Sequence, residues 1–251
     1  MKNESCVAAT RLAADNGRLP EFKRSRPADC LRCSMRKKML FAELDLAAIA
    51  DLPGAVSTLQ IRRGSTLYVQ NEPGIMLYAV RKGLVKLTQS GADGYQRIVH
   101  IAGPGTCVGM EGFLEIRYHQ TAHALTDVDV CAIPVLVAER IATQQPVFYR
   151  ALLQRWQQQF ATAERWMMEL SQGTVRQKLA RLLLMLDDIG HTEGELRLLS
   201  NLDSAGILST TMETVSRHVA EFKRAGTLVK VAPALYRIDR PALQRAADCP
   251  E

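Results

Sequence analysis

An α+β architecture is expected from three features of the 251-residue chain. Nine glycines between Gly64 and Gly112 punctuate short runs with β character. A glycine-free stretch over 138–172 carries apolar residues at helical spacing. Residues 174–251 then run from leucine-rich helical segments into a hairpin-like tail. A chain of this length favours two modules over one.

Composition narrows the class. Apolar residues make up 47% and charged residues 23%, a globular balance. Uncharged apolar stretches such as Leu182 to Leu186 are far too short for a bilayer, so no membrane association is expected. Met1 to Thr10 carries Glu4 and an apolar run of only four residues, and it is not read as a signal peptide. A cytoplasmic location follows as the default. Six cysteines there are read as thiols or metal ligands rather than as disulfides. The net charge of +6 is concentrated in residues 1–40, with 10 Lys/Arg against 4 Asp/Glu. The remainder balances, 22 against 22, so DNA binding has to be argued from a motif and not from bulk charge.

The elements follow in order. Residues 1–40 read as a loose, basic, cysteine-containing leader, with a short helix starting near Met35 and running into Leu40–Ile49. Residues 41–137 read as an antiparallel sandwich or roll. Its strands are Thr66–Val69, Met76–Val80, Leu84–Thr88, Arg97–Ile101 and Val128–Ile133, and their turn glycines recur about every ten residues. Residues 138–173 read as one long helix. Tyr149, Leu153, Trp156, Phe160, Ala163, Met167 and Leu170 alternate at steps of four and three, an a/d seam over three heptads. Such a stripe either packs on the chain's own β module or clasps a second copy. Its narrowness favours a parallel homodimer. Residues 174–251 order as helix, two short helical segments, a further helix and a β-hairpin around Ala232–Pro233–Ala234, which is a winged helix-turn-helix.

Ser209 to Arg224 is the most informative segment. Thr210 followed by Glu213 forms a capping box and marks a helix start. Met212, Val215, Val219 and Phe222 form its buried face, while Glu213, Ser216, Arg217 and Arg224 point outward, with Thr211 and Thr214 at the leading end. A helix showing Glu, Ser and Arg in its first turns suits the major groove of double-stranded DNA. There Arg takes guanine O6/N7 and Glu takes a cytosine amine. The plainer reading is an i,i+4 ion pair between Glu213 and Arg217 on a solvated helix.

Glu213-Thr-Val-Ser-Arg217 resembles the E-x-x-S-R recognition-helix signature of the CRP/FNR family of bacterial transcription regulators. Gly103-Pro-Gly-Thr-Cys-Val-Gly109 resembles that family's P-G-D-x-x-G turn, and the order of roll, long helix and winged helix is the family's own. The resemblance implies a homodimer in which 41–137 is a cyclic-nucleotide-binding-like effector domain, 138–173 the dimerisation helix and 174–251 the DNA-binding domain. It implies contacts to RNA polymerase and, for the E-x-x-S-R form, a palindrome of TTGAT-like half-sites. Ser209 departs from the glycine usual in the tight turn before the recognition helix.

The resemblance also frames the effector. Members that bind cyclic AMP carry Gly-Glu followed by Arg-Ser or Arg-Thr. Here Gly109-Met110 and Gln120-Thr121 stand instead, which argues against cyclic AMP. FNR-like members hold an iron–sulfur cluster, which requires four thiolates. Cys30, Cys33 and Cys131 match three of them, while Met39 stands where the remaining leader cysteine would lie. Cys6, Cys107 or Asp29 could complete the set. Bare thiol sensing is an alternative, since Arg32, Arg36, Lys37 and Lys38 would lower the pKa of the Cys30/Cys33 pair. A haem or nitric-oxide sensor using His100, His119 or His123 is another. A thiol-redox enzyme built on Cys30/Cys33 is the rival from a different class. The absence of a βαβ pattern, a phosphate loop or a nucleophile elbow argues for a regulator and not an enzyme.

Overall fold

The structure, a computed structural model, describes residues 22–44, 55–91, 96–114, 117–190 and 194–248. It divides into two compact units, one ending at Gln159 and one beginning at Phe160, with Arg97–Val99 grouped with the second.

The first unit is a β-roll of two antiparallel sheets. One has the order β1 (Phe22–Pro27), β2 (Ser57–Ile61), β9 (Val128–Pro134), β4 (Met76–Lys82) and β7 (Cys107–Val108). The other has the order β3 (Thr66–Tyr68), β8 (Thr121–Ala124), β5 (Val85–Ser90) and β6 (Gln96–Ala102). β4 and β9 are central, and their apolar runs Leu77–Val80 and Val130–Ile133 are buried without alternation, as strands covered on both faces must be. The strands expected from glycine spacing are all present, while β2, β7 and β8 were not expected.

The leader differs from its sequence reading. β1 lies inside it and pairs along β2, from Phe22 opposite Ile61 to Pro27 opposite Ser57. Its polar side chains hide the strand from a hydrophobicity pattern. Ala28, Cys30, Met39, Leu40, Phe41 and Leu44 are buried in the roll's own core, so this part of the leader is structural. The helix expected near Met35 is a single 3-10 turn, Arg36–Lys38, followed by turns to Leu44. The rest of that expectation, Leu46 and Ile49, lies outside the described residues.

The long helix is also revised. α1 (Val135–Gln144) follows β9 directly and stops at Gln145, and α2 (Pro146–Ser171) starts afresh. Pro146 has no amide hydrogen and cannot continue the α1 ladder, but it suits a first helical turn. α2 buries Phe148 and Leu152 in the roll's core, where Phe148 stacks on Phe41 at 6.0 Å.

His100 on β6 is buried, and burial pushes its pKa down to about 4. Above about pH 6.5 the imidazole is neutral folded or unfolded and contributes nothing to pH dependence. Below that the unfolded chain binds a proton that the fold refuses. Stability of this unit therefore falls between about pH 6.5 and 4, by up to about 3 kcal/mol. Denaturant midpoints at pH 7.5 and 5 will show the loss in the wild type and a smaller one in His100→Gln. Equal losses in both would contradict this origin.

The second unit contains α3 (Val175–Gly190), β10 (Glu195–Arg197), α4 (Asn201–Leu208), α5 (Met212–Arg224), β11 (Leu228–Ala232), β12 (Leu235–Ile238) and α6 (Arg240–Asp248). Its sheet has the order β10-β12-β11, a three-stranded wing support. Leu179, Leu182, Leu183 and Leu186 of α3 and Leu243, Ala246 and Ala247 of α6 are buried in a tight helix pair. Buried Asp187 is matched by Arg240, whose second nitrogen reaches Asp188 at 2.9 Å. Arg181 donates to the carbonyls of Glu169, Gln172 and Ala247, so a cation sits at the C-terminal ends of α2 and α6.

Candidate functional site

The helix-turn-helix is α4, a turn over 209–211, and α5. Ser200 caps α4 by accepting from the Asp203 amide at 3.0 Å. The cap of α5 is Thr211, one residue later than the sequence suggested. Its Oγ1 accepts from the Thr214 amide at 3.3 Å and lies 3.1 Å from the Thr214 hydroxyl. The Thr210/Glu213 capping box does not form, so Glu213 is released from local duty. Among the described ion pairs none joins Glu213 to Arg217, while the helix's own pair is His218 to Glu221 at 2.8 Å. The hydrogen bond from His218 is the main cause holding the Glu221 carboxyl below its ordinary pKa.

Thr211, Glu213, Ser216, Arg217 and Arg224 are exposed and Thr214 is half-buried. Inward, Val215 and Phe222 are buried and Val219 half-buried. Met212, expected on that inner face, is exposed. Two features of this surface escaped sequence reading. Val229, Lys230 and Val231 stand exposed on the wing strand β11, and Lys223 packs over the Tyr236 ring at 4.6 Å.

Ser209 occupies the left-handed region (φ 51, ψ 52), where glycine is unstrained and a Cβ costs roughly 1–2 kcal/mol. Ser209→Gly is expected to stabilise the second unit by about 1 kcal/mol, read from its denaturant midpoint. A lowered midpoint would show that the side chain makes a compensating contact.

Along α2 the heptad stripe faces solvent. Tyr149, Leu153, Trp156, Phe160 and Met167 are 43–69% exposed and Ala163 is half-exposed. The reading in which the stripe packs on the chain's own roll keeps one contact, the Tyr149 ring edge-on to Phe113 at 6.0 Å, while the rest of the stripe stays open. Leu170, by contrast, is buried and thus drops out of the seam.

A second constellation involves sulfur. Cys30, Cys33, Arg36, Met39, Leu40, Phe41, Ala79 and Cys131 line one cavity of about 20 Å³. The fold builds it from three segments. Ala79 on β4 is the register partner of Cys131 on one side and of Cys107 on the other, so all three side chains share a face. The turns after β1 carry Cys30, Cys33 and Met39 onto that face. Here the Asp29 carboxylate accepts from the Arg32 amide at 3.1 Å, and the Cys33 carbonyl accepts from the Arg36 amide at 3.1 Å. Thus the three cysteines singled out from sequence meet, and Met39 stands with them. Among the described residues no three Cys, His, Asp or Glu side chains form a ready metal-ligand set.

The surroundings set the thiols' acidity. Burial is the main cause that raises the pKa of Cys30, takes Cys131 up to about 11 and takes Cys107 up to about 12; the Arg81 guanidinium opposes the rise at Cys30 and Cys131. Cys30 is therefore not the low-pKa thiol expected from its basic neighbours in sequence, because burial dominates and the opposing charge is that of Arg81. α2 is tied to this region twice. Arg155 donates to the Met39 carbonyl at 3.3 Å, and Gln159 donates to the Cys107 carbonyl and to Met110 Sδ.

Next to Gly109-Met110 the roll is filled by aromatic rings. Tyr68 stacks on Tyr118 at 4.0 Å and on Tyr78 at 5.9 Å. Gly109 has φ 78, and an added Cβ would meet the Met76 carbonyl oxygen at 2.8 Å and the Tyr118 ring at 3.2 Å. Of the three histidines weighed for haem, His100 is buried in β6 and His123 hydrogen-bonds Thr66 Oγ1 at 3.0 Å, while His119 is exposed.

A β-roll joined through a long helix to a winged helix-turn-helix defines a transcription regulator that binds DNA and carries an effector domain. The comparisons agree. Residues 58–144 match the cyclic nucleotide-binding domain and residues 177–246 the Crp-like helix-turn-helix domain, together more than half of the chain. The transcriptional regulatory protein btr of Bordetella pertussis is 29% identical over 74% of this chain and 79% of its own. The transcriptional activator protein FnrL of Cereibacter sphaeroides is 27% identical over 79% of this chain and 83% of its own. The structure of FixK2 from Bradyrhizobium japonicum shares the fold with a TM-score of 0.68 at 24% identity, covering 78% of this chain and 99% of that one. The chain belongs to the CRP/FNR family of DNA-binding transcription regulators.

Proposed function

We propose that this regulator acts as a cytoplasmic homodimer clasped along Tyr149, Leu153, Trp156, Phe160, Ala163 and Met167. It reads a palindrome of TTGAT-like half-sites with Glu213, Ser216 and Arg217, assisted by Thr211, Thr214 and Arg224. It responds to oxygen or redox state through Cys30, Cys33 and Cys131, and it contacts RNA polymerase to activate transcription, in keeping with the activator name of FnrL. The observation that carries the signal reading is that cysteines a hundred residues apart in sequence line one cavity hydrogen-bonded to the seam helix. Cys33, the partly exposed member, is the thiol an oxidant reaches first. The tyrosine stack against Gly109, with Met110 and Gln120 in place of Glu and Arg, supports an effector other than cyclic AMP.

An iron–sulfur cluster is what the FNR resemblance implies. The cavity supplies three thiols and a thioether where four thiolates are the usual ligand set. These residues do not fit the group, so no step is derived through it. The test measures affinity for a palindromic TTGAT-type duplex with reduced and with mildly oxidised protein, alongside the anaerobic absorption spectrum. The expected result is a change in specific affinity on oxidation that disappears in Cys33→Ser. Affinity indifferent to oxidation would remove the redox signal and leave the DNA reading intact.

A further inference from the structure

The donor set that falls short of a cluster describes a different guest. The groups lining the cavity that could hold a metal are Cys30, Cys33, Cys131 and Met39, all of them sulfur; the remaining lining is Arg36, Leu40, Phe41 and Ala79, with no carboxylate and no imidazole. Zinc favours four anionic or nitrogen donors around a tetrahedron, and a thioether is a poor fourth. Thiolate and thioether sulfur together select soft copper in its monovalent state.

Charge adds an independent argument. Two or three thiolates around a single monovalent cation leave a net negative unit. Arg81 lies close enough to act on both Cys30 and Cys131, and its buried Nε has no hydrogen-bond partner. A buried guanidinium nitrogen left without an acceptor is costly, and an anionic sulfur unit beside it offsets that cost. Arg36 in the lining contributes in the same sense.

We propose that this cavity binds one Cu(I) ion through the thiolates of Cys30, Cys33 and Cys131 with the Met39 thioether completing the set. Each ligating thiol gives its proton to solvent as the Cu–S bond forms, and copper enters and leaves as Cu(I) with no change in oxidation state. Among the described residues no three of these side chains stand as a metal-ligand set, so binding requires the thiols to turn toward one another. The inference deepens the signal reading of this pocket and rests on it only for its regulatory consequence.

The experiment titrates the anaerobic, reduced, full-length protein against a coloured Cu(I)-bicinchoninate complex and follows the ultraviolet thiolate-to-copper band. One Cu(I) per chain should leave the chelator. Met39→Leu should weaken retention about tenfold and Cys131→Ser at least about a hundredfold, with Cys107→Ser unchanged because it lies outside the cavity lining. Circular dichroism checks that the variants fold. Copper that stays on the chelator, or binding that Cys107→Ser weakens as much as Cys131→Ser, overturns the proposal. So does recovery of iron and sulfide after reconstitution with no copper uptake. The palindromic duplex is assayed on the same samples. Copper bound with unaltered DNA affinity supports the site and removes the pocket from signalling. DNA affinity that tracks thiol oxidation while copper stays on the chelator overturns the site and keeps the redox reading.

Discussion

Arg217→Ala lowers affinity for a palindromic TTGAT-type duplex by roughly 30-fold to 10⁴-fold while nonspecific binding changes little. A bidentate contact from arginine to guanine contributes about 1–3 kcal/mol of discrimination, and a two-fold symmetric site uses it twice, about 2–6 kcal/mol in all. Geometry favours this role over a surface ion pair. Arg217 is exposed in the second turn of α5, opposite buried Val215 and Phe222, and Glu213 is not bonded to it. The measurement is a competition titration with specific and scrambled duplexes at fixed salt, since phosphate contacts respond to salt and base contacts much less. A specificity ratio equal to the wild type's would take base reading away from Arg217. Because the side chain makes no contact in the unit's core, thermal stability should stay within about 0.5 kcal/mol, which separates lost recognition from lost folding.

Phe160→Glu converts the protein to monomers. Phe160 lies mid-seam and is 60% exposed, so the substitution removes little from the chain's own core. In a parallel pair two such rings meet, each losing about 1.5–3 kcal/mol of burial, and two carboxylates would then face each other across the symmetry axis. Sedimentation should show a monomer at micromolar concentration with an unchanged unfolding midpoint. Specific DNA affinity should fall with it, because half-sites one helical turn apart need two recognition helices held at fixed spacing. A dimer that persists would move the interface elsewhere.

The strand-rich half and the winged half were legible because their cues are local. Turn glycines separate the strands, a threonine precedes the recognition helix, and the apolar spacing over 149–167 is strictly periodic. What stayed hidden depends on contacts distant in sequence. β1 is polar and is a strand only because β2 offers an edge. The stop at Gln145 follows from Pro146, a signal present in the sequence but outweighed by the long periodic stripe. The recognition-helix cap slipped by one residue because Thr210 and Thr211 are equally able caps, and Ser209 in the left-handed region decides between them. The acidity of Cys30 was misjudged because neighbours in sequence were counted and burial was not. Met39 was marked in the sequence as a missing cysteine; only the folded turns make it part of a sulfur-lined cavity.

The hydrogen bond from Arg155 to the Met39 carbonyl has a thermodynamic corollary. Arg155 projects from the same rod that carries the proposed seam, so in the proposed homodimer an event at the loop would shift the rod's rotational phase. Two interlocked rods cannot hold different phases without unmeshing their side chains. Two such loops in a clasped pair would thus be linked, each lowering the threshold of the other, and by reciprocity the operator would tune how readily the loops take up their signal. The response would then be steeper than one loop alone allows.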